Sequence, residues 1–233
     1  MLILAIDTAS KTGSAALYES GRGLLGELTV RPGTNHSAVA TKLIETLFEL
    51  TERKIGEIDR VAVTVGPGSY TGIRIGLALA KGLCYACGKD IVGVSTLDVL
   101  AAQIARRGEE IVPMLDARGG RVYAARYAYG AAEFPERTGE IENIDIDALL
   151  DALDPSKETL FTGEGALVNA ERIRARFDEK ALVAPEILTI PGAGTIARIA
   201  MSRTPDKLFS LEARYAGKSQ AERNKERREI QNG

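Results

Sequence analysis

The stretch at about residues 71–86 constrains this chain more than any other. It reads as a helix between two short apolar runs, and it has almost no polar side. Gly72, Gly76 and Ala80 recur every four residues and make a smooth stripe. Ile73, Ile75, Leu77, Leu79 and Leu83 fill nearly every other direction, and only Arg74 and Lys81 are charged. Its glycines, Gly82 included, leave the helix little intrinsic stability, so packing must hold it. A helix apolar on all sides is buried on all sides. One side faces the chain's own sheet. The other is covered by another protein chain, or by a second domain of this one.

The flanking runs, 61–65 and 91–94, read as strands. Strand–helix–strand alternation implies parallel pairing through a right-handed crossover. The chain opens differently, with strands at 2–6, 13–18 and 24–30. The turn Ser20-Gly21-Arg22-Gly23 joins the last two into an antiparallel meander. Asn35 caps a helix at about 36–50 whose apolar residues form two neighbouring stripes: Val39, Leu43, Leu47 and Ala40, Ile44, Phe48. That is again wider than one sheet requires.

After a connecting helix at 97–105 the opening pattern returns. Val112-Pro113-Met114-Leu115-Asp116, a Gly119-Gly120 turn and Val122-Tyr123-Ala124-Ala125 parallel Leu4-Ala5-Ile6-Asp7, a turn with Gly13, and Ser14-Ala15-Ala16-Leu17. This suggests an internal duplication of one unit. Helices at 146–153, 166–177 and 195–201 and a strand at 159–162 complete the reading. From Lys218 the tail alternates charges and reads as a solvated helix or a disordered segment. The expectation is an α/β fold of two small subdomains, 1–106 and 107–206, with an extension at 207–233.

Composition removes several function classes. The 233 residues hold 30 Lys plus Arg against 32 Asp plus Glu, so no global basic field holds nucleic acid. Two cysteines make no disulfide framework, which fits a reducing compartment. No secretory signal or membrane-length apolar run is visible, so a soluble, cytoplasmic protein with no membrane partner is expected. The single histidine, His36, excludes any metal site or dyad that needs two.

Three loops offer chemistry. Asp7-Thr8-Ala9-Ser10-Lys11-Thr12-Gly13 joins two strands and carries hydroxyls, backbone N–H groups and a carboxylate. It can wrap a phosphate, or be a polar turn closed by an Asx-type bond. Gly66-Pro67-Gly68-Ser69 leads into the apolar helix. It is an anion site at a helix N-terminus, or a tight turn that lets helix and sheet approach; it has neither the P-loop ending nor the dinucleotide spacing. Gly163-Glu164-Gly165 reads as a surface for a nucleotide, or as an ordinary turn. Cys84 and Cys87 lack a second pair and read as packing residues. His36, beside the helix cap, pairs with no nucleophile motif.

Ile6-Asp7-Thr8-Ala9, the segment from Val65-Gly66-Pro67-Gly68-Ser69-Tyr70-Thr71-Gly72 through Gly76, Met114 and Asp116-Ala117-Arg118, and the ending Tyr215 to Glu222 resemble the TsaB (YeaZ) family. The resemblance spans nearly the whole chain, with Gly217 where relatives often carry Arg. It implies a duplicated actin/Hsp70/sugar-kinase-like (ASKHA) fold. It implies a non-catalytic subunit in the formation of N6-threonylcarbamoyladenosine on tRNA, paired with TsaD, which TsaE acts on with ATP. Alone, such a chain is expected to form a homodimer. In TsaD a His-x-Glu-Gly-His metal motif follows the shared Gly-Pro-Gly element, and here Thr96-Leu97-Asp98-Val99-Leu100 stands in its place.

No catalytic residue and no metal ligand is therefore expected, and no cofactor is required. ATP or ADP at the interface of the complex would touch Asp7, Thr8, Ala9 and Ser10, Gly66, Pro67, Gly68 and Ser69, and Gly163, Glu164 and Gly165. The partner surface is set on the two wide helices: His36, Val39, Ala40, Leu43 and Leu47 on one, and Tyr70, Gly72, Ile73, Arg74, Gly76, Leu77 and Ala80 on the other. The competing reading is an ATP-dependent small-molecule kinase of the same superfold, with Asp116 as base.

Overall fold

Apolar residues that serve both faces of a central strand organise the first sheet. The computed structural model describes residues 1–31, 36–104 and 110–215, with the backbone alone at 36 and 37. The Asn35 cap, the His36 side chain, Gly217 and the charged tail lie outside them. β1 (Leu2–Asp7), β2 (Gly13–Glu19) and β3 (Gly23–Val30) form the expected meander. α1 (His36–Thr51) leads to β4 (Arg60–Gly66), α2 (Tyr70–Cys87) and β5 (Asp90–Ser95), and α3 (Thr96–Ala102) follows. The strand order is β3-β2-β1-β4-β5, with β1, β4 and β5 parallel. All six residues of β1 are buried. Leu2, Leu4 and Ile6 pack with α1 and α2, and Ile3 and Ala5 pack on the opposite face.

The second half repeats this plan. It comprises β6 (Glu110–Arg118), β7 (Arg121–Ala124), β8 (Tyr127–Ala128), β9 (Glu136–Arg137), β10 (Glu142–Asp145), α4 (Ile146–Ala152) and β11 (Thr159–Thr162). α5 (Glu164–Val168), α6 (Ala170–Phe177), β12 (Ala181–Val183) and α7 (Ala193–Ser202) follow. Its main strand order, β10-β7-β6-β11-β12, copies β3-β2-β1-β4-β5 strand for strand. The duplication read from one ββ unit thus covers the whole architecture, and the duplicated α/β fold stands.

Several expectations need correction. The helix expected at 166–177 is two helices. Asn169 breaks it, because its amide donates to the Gly165 carbonyl and its backbone leaves the helical region. The short strands β8, β9, β10 and β12 were not foreseen. The last helix of each half also crosses over. α7 packs on β1 and β2 of the first sheet. Leu97, Leu100 and Ala101 of α3 enter the core of the second sheet, beside Ile111 and Tyr127. So the 107–206 stretch contains a helix that covers the first subdomain. Residues 207–215 return as well, and Leu211 is buried among β4, β5 and α2 residues.

Both ends of α7 are fastened by the first sheet. The Ala193 N–H donates to Ser14 Oγ at 3.0 Å. At the other end the Arg60 guanidinium donates to the carbonyls of Ala200 (2.6 Å) and Arg203 (2.9 Å). A cation there also suits the negative end of the helix dipole.

Candidate functional site

β1 ends in the carboxylate that anchors the site. Asp7 is fully buried. Its Oδ1 accepts from Thr64 Oγ1 at 2.6 Å and from the Ala9 N–H at 3.1 Å. Its Oδ2 has no hydrogen-bond partner among the described residues. Burial pushes its pKa from the usual 3.8 up to about 6, against the hydrogen bonds from Thr64 and Ala9. Thr64 was missed by the sequence reading; its signal is a lone hydroxyl in the otherwise apolar run at 61–65.

The first two loops meet face to face. The Ser69 N–H donates to the Ala9 carbonyl at 2.7 Å. Thr8 Oγ1 donates to the Gly72 carbonyl at 2.7 Å. Ser69 caps α2 by accepting from the Gly72 N–H at 3.2 Å. The glycines make this closeness possible: a Cβ on Gly68 would stand 2.3 Å from the Ala9 oxygen, and one on Gly72 would stand 1.9 Å from the Thr8 oxygen. Gly66, at φ +108°, lies against Arg214, whose N–H donates to Val65. The third loop reaches the first through a Lys11–Glu164 ion pair at 2.5 Å. Gly163 and Gly165 are packed against the Met114 backbone of β6.

The first two loops therefore pack together and the third touches the first through one ion pair, and most of their glycines serve the chain's own packing. Four of the backbone donors in these loops are already engaged: Ala9 with Asp7, Ser69 with Ala9, Gly72 with Ser69, and Thr12 with Ser10. Asp116 stands exposed at the end of β6, its Oδ1 accepting from the Arg118 N–H.

The partner residues divide. The small stripe of α2 faces inward, with Gly72, Ile73, Gly76, Leu77 and Ala80 buried. A Cβ on Gly76 would stand 2.4 Å from Thr8 Oγ1. Leu43 and Leu47 of α1 are buried in the same core with Val39 half-buried against it, and Ala40 is buried as well. These residues are core, which corrects the expectation that they form a surface. Tyr70 and Arg74 are exposed as expected. The Arg74 guanidinium lies over the Tyr70 ring, which stacks on Tyr215 at 5.0 Å. Exposed Ala78, Gly82 and Tyr85 continue this outer ridge, with Phe209 against Tyr85.

Where the resemblance implied a metal motif in TsaD, Asp98 here accepts from Tyr127 Oη and from Arg203, both at 2.7 Å. Among the described residues no three or more His, Cys, Asp or Glu gather as a metal site needs. Cys84 is buried and its thiol is pushed up to about 11, chiefly by burial, as suits a packing residue. No helix among the described residues is long and apolar enough to cross a membrane.

The family described as TsaD: tRNA N6-adenosine threonylcarbamoyltransferase matches residues 15–205. The tRNA threonylcarbamoyladenosine biosynthesis protein TsaB of Bacillus subtilis (strain 168) is 29% identical over 229 residues, covering 95% of this chain and 96% of that protein. The protein of that name from Escherichia coli (strain K12) is 35% identical over 130 residues, covering 54% of this chain and 55% of that one. The solved structure of YeaZ from Pseudomonas aeruginosa superposes with a TM-score of 0.79 at 23% identity, covering 92% of this chain and 99% of that one. With a family match across most of its length, this chain belongs to the TsaD family, and it is similar over nearly its whole length to the TsaB protein of Bacillus subtilis.

Proposed function

We propose that this chain is a non-catalytic subunit in tRNA threonylcarbamoyladenosine biosynthesis, pairing with TsaD and working with TsaE on position 37 of tRNAs that read codons beginning with A. The observation that carries this is the outer face of α2. Tyr70, Arg74, Ala78, Gly82 and Tyr85 are exposed on a helix whose other face is core. Tyr85 and Phe209 keep 72% and 78% of their surface open, which is unusual for paired aromatic rings unless a partner covers them. The non-catalytic role is supported by the single histidine and by an Asp7 sealed from solvent. The same face serves a homodimer in the absence of TsaD, so the two assemblies compete. ATP or ADP binds the isolated chain weakly, because the loop donors must first be freed; tight binding waits for the partner. The protein works in the cytoplasm and contacts tRNA through the complex.

The test mixes this protein with cognate TsaD and TsaE, omits each in turn, and measures the modified nucleoside. Product is expected only with all three. Turnover of ATP or transfer to tRNA by the isolated chain would sink the reading and favour the kinase alternative. Arg74→Glu and Ala78→Arg put charge or bulk on the outer ridge, away from the core. Each is expected to weaken TsaD binding by about 1–3 kcal/mol, roughly one to two decades, with an unchanged melting temperature. Calorimetry reads the first quantity and a thermal melt the second. Unchanged affinity in both variants moves the partner surface elsewhere.

A further inference from the structure

β12 ends the second sheet with one side open. Among the described residues it pairs with β11 alone, and the Ala184 N–H donates to Phe161 at 2.9 Å. In a parallel ladder, alternate residues turn both backbone groups the same way. Leu182 therefore faces β11, and the Val183 N–H and C=O face outward, with no partner among the described residues. The Ala181 C=O points the same way, while its N–H closes a turn onto Asp178.

A cavity of about 470 Å³ wraps round this edge. Its two sides differ. On one face of the sheet Ile104, Leu160, Leu182 and Leu188 form an apolar floor. On the other face stands Arg174 of α6, exposed. Its neighbours on that helix are paired, Arg172 with Asp147 and Arg176 with Asp151, but Arg174 has no ion-pair partner among the described residues.

The geometry points to β12 as a docking edge for an extended peptide whose side chains alternate apolar and acidic. A strand laid beside β12 exchanges two hydrogen bonds with Val183. Its odd and even side chains then fall on opposite faces, one set over the leucine floor and the other toward the Arg174 guanidinium. Pro185, just beyond the strand, has no N–H and limits pairing to this short register. The edge belongs to the second sheet, apart from the α2 ridge, so it works alongside the pairing face.

The probe is a short fluorescein-labelled peptide of alternating valine and aspartate, blocked at both ends and titrated against the full chain. Saturable anisotropy is expected, weakening as salt rises. Methylating the backbone nitrogens that pair should abolish it. Arg174→Glu should weaken binding by about tenfold or more, since an attraction becomes a repulsion. Val183→Pro deletes an N–H that no described residue uses, so it should remove binding and leave the far-UV spectrum intact; if that variant does not fold, the methylated probe makes the same test. Equal binding of the methylated peptide, or no saturation, overturns the proposal. So does sedimentation showing that a second copy of the chain fills the edge.

Discussion

A buried carboxylate with one oxygen unpartnered makes stability depend on pH in an unusual direction. Asp7 titrates near 3.8 when unfolded and near 6 when folded. Below pH 4 both states hold the proton and its contribution is complete. Between about pH 4 and 6 the unfolded chain releases the proton first, so folding stability falls as pH rises. The rise in pKa corresponds to about 3 kcal/mol. Asp7→Asn cannot titrate, and its amide oxygen can keep the bonds from Thr64 and Ala9. Denaturant melts from pH 3.5 to 7 should show the wild type losing about 3 kcal/mol relative to the variant across that window. Parallel pH profiles would mean that water reaches Asp7. The identity of Asp7 as an anchor was legible, because it closes an apolar strand run. Its sealing was not, because that depends on Thr64 and on a loop sixty residues away.

At the scale of the element, α2 separates its glycines by what lies beside them. Gly72 has the Thr8 oxygen where a Cβ would go, and Gly82 has nothing within 4 Å. Gly82→Ala should therefore stabilise the protein by about 0.5–1 kcal/mol, through helix propensity alone. Gly72→Ala should cost about 1–3 kcal/mol or more, because backbone must move. Chemical denaturation of the two variants reads both signs, and a neutral Gly72→Ala would contradict the close packing of α2 on the Thr8 loop. The spacing of Gly72, Gly76 and Ala80 revealed a smooth stripe but not which way it faced. Periodicity fixes relative directions round a helix, and only the position of Thr8 turns that stripe inward. The meander and the parallel strands were legible because their apolar runs end at glycine and charge. β12 was not, since three residues after Lys180 are too short for any period to register. The break at Asn169 was hidden because apolar residues continue with helical spacing on both sides of it.

At the scale of the molecule, the exchange of α3 and α7 ties the halves together. Asp98 adds a polar knot between α3, Tyr127 of the second sheet and Arg203 beyond α7. Tyr127 is almost fully buried, so Asp98→Ala leaves its hydroxyl unpaired at a cost of about 1–3 kcal/mol. Since each sheet carries a helix from the other half, the chain should unfold in one transition, with far-UV and tyrosine near-UV signals superimposed. Two separated transitions would show that the halves hold themselves. The boundary drawn near residue 106 followed the repeat in sequence, and a repeat carries no information about which copy a helix will cover.

The exchange also sets a timetable for synthesis. A ribosome delivers β5 long before α7, the lid for one whole face of the first sheet, which emerges about a hundred residues later. Until then α3, through Val99 and Ala102, is the only helix beside Ile3, Ala5 and Val92 in that cluster, while its Leu97, Leu100 and Ala101 have no second core to enter. The nascent amino-terminal half must wait, half-clothed, for its carboxyl-terminal twin. Holding chaperones should meet this protein on the ribosome, and a stop codon placed before α7 should leave a fragment that aggregates instead of a smaller working domain.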